Sequence, residues 1–224
     1  MKKGKLIVVE GACDGVGKTT QCELLRKKME EAGLRVIKYH FPSCDAPQGD
    51  GVKKYLEGKF GQIKELSPYF INGLYAYDRA VTWLENLRYE YEAGNVILLD
   101  RYTTSSLIYQ SALIESEVEK KKFVDYVMDF EYNKLGIKEP DLVLFLYVPF
   151  EIAVKNRETR KSESGIIDDI HERDMCFMKR VYDNSLFVAE YLGWKVIRCD
   201  DGENMKPVEE INFEMYNACI LDEK

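Results

Sequence analysis

Short apolar runs alternate along the chain with longer amphipathic segments. Five runs rich in Val, Ile and Leu are predicted to be β-strands: residues 5–10, 35–39, 95–100, 141–148 and 195–199. Near-continuous apolar runs are typical of parallel strands that helices cover on both faces. The pattern therefore predicts an α/β fold, with a five-stranded parallel sheet flanked by helices on both faces.

Two of the intervening segments repeat apolar residues every three or four positions, which predicts helices at about 19–32 and about 68–91. Gly33 and Gly94 follow these segments, where a residue that adopts positive φ commonly ends a helix. The stripes predicted to be buried are Cys22, Leu25, Met29 and Ala32 in the first helix, and Phe70, Leu74, Tyr77, Val81, Leu84, Leu87 and Tyr91 in the second.

Two polar segments, residues 41–61 and 156–170, interrupt this alternation and are predicted to be loops. Polar loops of this length in a compact domain are typical of active-site covers, and a disordered surface insertion is the alternative. Neither a repeat nor a linker divides the sequence. Residues 1–224 are therefore predicted to form a single domain.

Composition narrows the classes of partner. With 32 Lys and Arg against 39 Asp and Glu, the net charge of −7 argues against non-specific nucleic-acid binding, so an anionic ligand needs a local basic site. The longest apolar run, residues 142–148, is much shorter than the roughly 20 residues of a membrane-spanning helix. The six cysteines form no CxxC pair. We expect a cytoplasmic protein with free thiols and neither a membrane nor a nucleic acid as partner.

Residues 10–20 read EGACDGVGKTT and lie between the first strand and the first helix. In that position, backbone N–H groups can wrap a polyphosphate, Lys18 can reach its β/γ oxygens and the Thr19 hydroxyl can bind Mg²⁺. The strict GxxxxGK[ST] spacing fails because Gly11 lies one residue too early. Either the loop has an extra residue near Cys13, or Ala12 replaces the first glycine. A strand-to-helix turn without a ligand is the structural alternative.

The strand at 95–100 ends in Asp100, which is followed by Arg101. A carboxylate at this point can hold Mg²⁺ together with Thr19, and the guanidinium can grip phosphate through a planar fork of donors. The alternative for Asp100 is a helix N-cap, since a helix is predicted to begin near Thr103.

DRYTTSSLIYQ at residues 100–110 resembles the corresponding motif of bacterial thymidylate kinases. EGACDGVGKTTQ, Phe41-Pro42, LYAYDRA at 74–80, PDLVLFLYV at 140–148 and FMKRV at 177–181 follow the family's order and spacing. The resemblance implies a P-loop nucleoside monophosphate kinase fold and transfer of the ATP γ-phosphate to dTMP, giving dTDP and ADP. It also implies Mg²⁺ and a homodimer, with the helices near residues 69–91 and 103–112 as contact surfaces.

The resemblance also implies two sets of binding residues. The ATP set is Gly11, Asp14, Gly15, Val16, Gly17, Lys18, Thr19 and Thr20, with Thr19 and Asp100 at the metal. The dTMP set is Asp14, Phe41, Tyr75, Arg79, Arg101, Ser105, Ser106 and Tyr109. In this scheme Asp14 contacts the sugar 3′-hydroxyl, and Arg79 and Arg101 bind the acceptor phosphate. Tyr75 stacks on the base and Tyr109 excludes a ribose, although ordinary packing also accounts for Tyr75.

Residues 156–170 match the family's lid. Because Gly15 stands where one subgroup has an arginine, the positive charge at the transfer point is expected from the lid, where Arg157, Arg160 and Lys161 are the candidates. The catalytic set implied is Lys18, Arg101, Arg157 and Arg160, and a solvated basic patch is the alternative for the lid cations. The lid departs from the family pattern at Ser164, Asp169 and His171, which replace two arginines and a glutamate.

Two classes of alternative function remain. The first is a kinase for dUMP, another nucleoside monophosphate or a deoxynucleoside, and the second is a non-catalytic nucleotide-binding protein, which the irregular loop and lid would explain. The DRY motif and Arg79 favour an acceptor that already carries phosphate, because a nucleoside would leave one cation without a partner.

Overall fold

The computed structural model describes residues 3–164 and 169–221. Its five strands are β1 (Lys5–Gly11), β2 (Val36–His40), β3 (Val96–Asp100), β4 (Leu142–Tyr147) and β5 (Lys195–Arg198). They form one parallel sheet in the order β2-β3-β1-β4-β5. The predicted fold class is confirmed, and each predicted strand end agrees with the structure to within one residue.

Nine α-helices lie in the described ranges. They are α1 (Lys18–Glu31), α2 (Asp50–Leu56), α3 (Pro68–Thr82), α4 (Arg88–Glu92), α5 (Thr103–Tyr109), α6 (Glu117–Met128), α7 (Phe150–Ser164), α8 (Met175–Tyr191) and α9 (Val208–Leu221). Turns of π-helix, Trp83–Leu87 and Asp129–Lys134, extend α3 and α6. Short 3₁₀ turns are Pro47–Gly49, Ile63–Glu65 and Ser111–Leu113. Within the described ranges, no helix is both long and apolar enough to cross a bilayer.

Successive side chains of β1 enter different cores, because strand residues alternate between the faces of a sheet. Ile7 and Val9 pack into the larger cluster with residues of α1, α6, α8 and α9. Leu6 and Val8 pack on the other face, where Trp83 and the residues after it cover the sheet. Burial on both faces explains why the strand sequences are almost continuously apolar.

The strand register places three strand ends side by side. Asp100 is paired with Val9 of β1 and with His40 of β2, while Gly11 is paired with Leu146 of β4. The residues that leave the carboxyl ends of these strands therefore share one edge of the sheet, which is where ligands of open α/β sheets bind.

The stripe predicted for the second helix is partly wrong. Phe70, Tyr77 and Leu84 are exposed, and the face of α3 that is buried carries Asp78 and Arg79. Ala32, the last residue of the stripe predicted for the first helix, is also exposed. The buried polar residues of α3 face a cavity and buried hydrogen-bond partners. The buried face of this helix is therefore not its apolar face.

Both loop predictions also need correction. Residues 41–61 contain α2, and residues 156–164 belong to α7. The second segment is polar, but its Glu, Lys and Arg residues are good helix formers, and neither Gly nor Pro occurs in it before Gly165. Residues 165–168 of the predicted lid lie outside the described residues, as do the side chains of Arg160 and Ser164.

Candidate active site

The phosphate loop begins where β1 ends and α1 starts. The Ala12 amide donates to the Leu146 carbonyl at 3.1 Å, so Ala12 continues the pairing of β1 with β4. A Cβ on Gly11 would lie 2.4 Å from Val16 Cγ2, whereas the Cβ of Ala12 is accommodated in the core. Gly17, with φ of +87°, directly precedes α1. The close approach therefore falls at Gly11, one residue before the position that the strict motif reserves for glycine.

Lys18 is folded into this loop. Its Nζ donates to the Cys13 carbonyl at 2.9 Å and lies 3.5 Å from Asp14 Oδ1. Only 7% of the residue is exposed. The ammonium group thus lies among carbonyl and carboxylate oxygens of the loop. A bound polyphosphate could replace these oxygens as its hydrogen-bond partners.

Thr19 and Asp100, the predicted metal residues, are in contact. Thr19 Oγ1 donates to Asp100 Oδ2 at 2.8 Å, and His40 Nδ1 is 3.3 Å from the same oxygen. Asp100 Oδ1 is buried and has no partner in the described structure. Burial opposes ionisation of Asp100, but the His40 hydrogen bond and the Lys18 and Arg101 charges outweigh it and lower the pKa of this carboxyl. A hydroxyl beside an available carboxylate oxygen fits Mg²⁺.

Two cavities meet beside this loop. The first is lined by the phosphate loop, Asp100 and His40. The second is lined by predicted dTMP residues from several elements: Asp14, Phe41, Tyr75, Arg79, Arg101, Ser105, Ser106 and Tyr109. Asp14, Arg101 and Asp169 line both cavities. The fold therefore gathers the complete predicted acceptor set around one space that opens onto the phosphate loop.

Arg101 lies at the junction of the cavities. It has a left-handed backbone, with φ of +67°, which is uncommon for a residue other than glycine and is found at strained functional positions. Its Nη2 donates to Asp14 Oδ1, and its Nη1 donates to Ser105 Oγ at 3.4 Å. This guanidinium is 15% exposed and its Asp14 partner is 21% exposed. Both groups of the pair are therefore accessible from the cleft.

Glu10 organises the residues behind Arg101. It is fully buried and accepts hydrogen bonds from Thr104 Oγ1 at 2.9 Å and Ser105 Oγ at 2.5 Å. It also accepts the Gly11 amide at 3.0 Å. Ser105 lines the cavity, but its hydroxyl donates to Glu10. These contacts indicate that Ser105 supports Arg101 and favour this role over hydrogen bonding to a base.

Arg79 has a different environment. It is 1% exposed, and its Nε and Nη2 donate to the two oxygens of Glu131 at 2.7 and 2.6 Å. Nη2 also donates to Ser106 Oγ at 2.9 Å, and Nη1 lies 3.4 Å from the Tyr102 carbonyl oxygen. These contacts are with α5, the residue before it and the π turn, and none is with the phosphate loop.

Aromatic rings form the walls of the second cavity. The Tyr109 ring lies 5.6 Å from the Arg101 guanidinium carbon, and its hydroxyl is buried without a partner in the described structure. The Tyr75 ring centroid is 6.0 Å from the guanidinium carbon of Arg79, and the Phe41 ring is 5.7 Å from that of Tyr102. An unpartnered hydroxyl and several ring faces suit a nucleoside, which offers both polar groups and a flat base.

Several cavity residues were not predicted from the sequence as functional. Leu56 and His171 line the cavity, and Tyr55 contacts His171, with 2.7 Å between Tyr55 Oη and His171 Nε2. The Ile170 amide donates to the Leu56 carbonyl at 3.2 Å. Burial lowers the pKa of His171 to about 4, so its ring is neutral at pH 7. Gln110 also lines the cavity, and its position directly after Tyr109 in the motif was the available signal.

Helix α7 packs directly on the phosphate loop. A Cβ on Gly15 would lie 2.2 Å from the Ala153 carbonyl oxygen, and Asn156 Nδ2 donates to the Gly15 carbonyl at 3.3 Å. Arg157 Nε donates to Glu172 Oε1 at 3.3 Å. Of the other lid candidates, Lys161 is exposed. Helix α7, which carries the lid cations, thus packs so close to residue 15 that any side chain larger than that of glycine would collide with it.

The family model for thymidylate kinase matches residues 9–210. The chain belongs to the thymidylate kinase family. A thymidylate kinase of Thermoanaerobacter pseudethanolicus is 32% identical over 208 residues, which cover 93% of this chain and 95% of the relative. A thymidylate kinase of Mycobacterium tuberculosis is 31% identical over 179 residues, covering 78% of this chain and 81% of the relative.

A solved structure of the thymidylate kinase from Candida albicans superposes with a TM-score of 0.72 at 22% identity, covering 99% of this chain and 93% of that chain. At this identity the likeness demonstrates the fold. The expected P-loop nucleoside monophosphate kinase architecture is therefore confirmed for this member of the thymidylate kinase family.

Proposed function

We propose that the protein transfers the γ-phosphoryl group of ATP to dTMP, giving dTDP and ADP. The observation that carries the proposal is the junction at Arg101, where a cavity beside the phosphate loop meets a cavity lined by aromatic and hydrogen-bonding side chains. Two anionic substrates bound end to end would place their reacting phosphates at this cation. Phosphoryl transfer depends mostly on such positioning and on stabilisation of charge.

The donor nucleotide binds along residues 11–20. Lys18 exchanges its contacts with Cys13 and Asp14 for β/γ-phosphate oxygens, while the amides at the start of α1 hold the remaining oxygens. Thr19 and Asp100 hold Mg²⁺, which neutralises phosphate charge when it is bound. The unpartnered Asp100 oxygen supports this assignment.

The acceptor binds in the second cavity. Arg101 binds its phosphate by exchanging the partly exposed contact with Asp14 for phosphate oxygens, and Asp14 then accepts a hydrogen bond from the sugar 3′-hydroxyl. Tyr109 limits the sugar pocket to deoxyribose and Tyr75 stacks on the base. Ser106 and Gln110 offer polar groups for the pyrimidine edge.

We assign the lid to the second half of α7 and the residues after it. The contact of α7 with Gly15 supports this assignment, because closure there would exclude water from the transferred phosphoryl group. Arg157 and Arg160 are the cations proposed to stabilise the transition state. Arg157 is placed by its ion pair with Glu172.

A coupled ADP-release assay with Mg²⁺-ATP tests the function. The acceptors are dTMP, dUMP, dCMP, dGMP, dAMP and thymidine, with no acceptor as the blank and Lys18→Ala as the inactive control. We expect dTMP to give the largest kcat/KM. ATP binding without turnover on any acceptor would overturn the proposal.

We further propose a homodimer that forms through the exposed face of α3 and the turn after it. Phe70, Tyr77 and Leu84 are 45%, 61% and 46% exposed and recur every seven residues, which is the spacing of one helix face. Tyr77→Glu should convert the dimer to a monomer in light scattering, whereas Tyr89→Glu, a change at another exposed tyrosine, should not.

A cytoplasmic setting is proposed from the cysteines, since all six are free thiols. The net charge of −7 supports small nucleotides as ligands in preference to a nucleic acid. Thiol counting with an aromatic disulfide reagent, after unfolding in buffer that contains neither a reductant nor an oxidant, should find six reactive groups.

A further inference from the structure

Arg101 is attached to the end of β1 by both its main chain and its side chain. Its amide donates to the Val9 carbonyl at 3.1 Å, and its Nη1 lies 3.7 Å from Glu10 Oε1. The same Glu10 oxygen accepts the Gly11 amide at 3.0 Å. The arginine at the junction of the two cavities is therefore connected to residues 9–11, where β1 passes into the phosphate loop.

A serine bridges the two charged groups. Ser105 Oγ accepts a hydrogen bond from Arg101 Nη1 at 3.4 Å and donates its own proton to Glu10 Oε2 at 2.5 Å. The Thr104 hydroxyl donates to the same carboxylate oxygen at 2.9 Å. Because Glu10 is fully buried and is held by these hydroxyls and by the Gly11 amide, it anchors one nitrogen of the guanidinium in a fixed place.

The two carboxylates around Arg101 differ in accessibility. Asp14 accepts a hydrogen bond from Nη2 and is 21% exposed, whereas the Glu10 side chain is fully buried. A phosphate that enters the cleft can replace Asp14, but it cannot displace a carboxylate that is enclosed in the protein. Arg101 then binds the phosphate through Nη2 while Nη1 stays attached to Ser105 and Glu10. The guanidinium is thereby kept at the junction throughout the reaction.

The backbone of Arg101 indicates that this place is enforced. A φ of +67° costs free energy for a residue with a side chain, and such a conformation persists where surrounding contacts impose it. Those contacts include Val9 and Glu10, which lead into the loop proposed to bind ATP. The donor loop and the cation proposed for the acceptor phosphate are thus held by the same end of β1. Their relative position matters, since a small displacement of two reactants costs a large part of the rate.

We infer that Glu10 is a positioning residue that ties Arg101 to the phosphate loop, so that the acceptor phosphate is held in register with the γ-phosphate of ATP. Ser105 completes this link, whereas the resemblance implied that it contacts dTMP. The inference rests on the proposed function. It concerns the rate of transfer, because a group that fixes the distance between two bound reactants acts on kcat and leaves their binding largely unchanged.

Ser105→Ala tests the inference, with Thr104→Val as the matched control. Both variants remove a hydroxyl that donates to Glu10 Oε2, and Ser105 is the one that also accepts a hydrogen bond from Arg101. Quenched-flow single turnovers give the rate constant of transfer, and titration calorimetry gives the Kd of dTMP and of thymidine. We expect Ser105→Ala to lower the rate constant about tenfold and to keep both Kd values within about twofold of the wild type. Thr104→Val should stay within about twofold in all three quantities.

Two other roles for Ser105 give different results. If its hydroxyl bound the base, Ser105→Ala would weaken dTMP and thymidine by the same factor and leave the rate constant at saturation unchanged. If it served only the packing of α5, Thr104→Val would change the rate constant as much as Ser105→Ala does. Either result would overturn the inference.

Glu10→Asp gives a second test, because it keeps the charge and shortens the side chain by one methylene group. The carboxylate then withdraws from Arg101 and Ser105, so the rate constant should fall at least about tenfold while the Kd of thymidine stays within about threefold. A wild-type rate constant in this variant would overturn the inference. If circular dichroism finds Glu10→Asp unfolded, the comparison of Ser105→Ala with Thr104→Val decides. Failure of the wild-type protein to phosphorylate any acceptor would instead refute the proposed function.

Discussion

His171 should make the protein sensitive to acid. Its ring is enclosed by Tyr55, Tyr109 and Phe177, with centroids 5.4 to 5.5 Å away, and Nε2 is hydrogen-bonded to the Tyr55 hydroxyl. Burial in this aromatic setting lowers the pKa of His171 to about 4, against about 6.5 for a histidine in an unfolded chain.

The size and the direction of the effect follow from proton linkage. Between pH 6.5 and 4 the unfolded chain binds a proton that the folded chain does not, so the free energy of unfolding falls as the pH falls through this range and is unaffected above it. At pH 5 the population ratio shifts by a factor of about 30, which corresponds to about 2 kcal/mol. That is a large part of the stability of an ordinary domain.

Urea unfolding at pH 7.5 and pH 5.0 measures this effect in the wild type and in His171→Gln, which can keep a hydrogen bond to Tyr55 without titrating in this range. The variant should lose about 2 kcal/mol less than the wild type between the two pH values. Equal losses in the wild type and His171→Gln would refute the reasoning.

The remaining predictions concern the phosphate loop and its cover. Lys18→Ala should abolish ADP release while the far-ultraviolet circular dichroism stays unchanged, and substantial residual turnover would move the ATP site elsewhere. Gly15→Ala should lower kcat at least tenfold, because the new Cβ would meet the Ala153 carbonyl at 2.2 Å. Gly33→Ala, also at positive φ but in open space, should cost about 1 kcal/mol of stability without changing kcat. Arg157→Ala should lower kcat with little change in the KM for dTMP, and a change in KM alone would exclude a role in the transition state.

The strands were predicted well because each is a short apolar run bounded by polar residues, a signal that depends on neighbours in sequence. Helix α3 was predicted less well. A repeat of apolar residues every three or four positions indicates the buried face of a helix only if the buried positions are apolar. Helix α3 instead buries Asp78 and Arg79 and exposes Phe70 and Tyr77. What makes this arrangement stable is a carboxylate 52 residues away, which no local pattern reveals.

The residues that line the second cavity could be predicted in part for the same reason. Arg101, Ser106 and Tyr109 lie within one motif, the last two in α5 and Arg101 two residues before it, so the sequence pattern reports them together. Tyr55 and His171 are 116 residues apart. Tyr55 lies in one segment that polarity alone assigned to a loop, and His171 directly follows the other. Their contact arises from tertiary packing of α2 against the residues that precede α8.

The exposure of Asp14 supports the proposed binding of the acceptor phosphate by Arg101. Arg101 pairs with Asp14, which is 21% exposed, and lies 3.7 Å from the fully buried Glu10, so a phosphate can displace Asp14 while Glu10 stays in place. Arg101→Ala should therefore weaken dTMP by at least about tenfold and thymidine, which lacks the phosphate, by less than about twofold. Calorimetry with both ligands measures the two ratios, and equal weakening by Arg101→Ala would contradict its assignment to the phosphate.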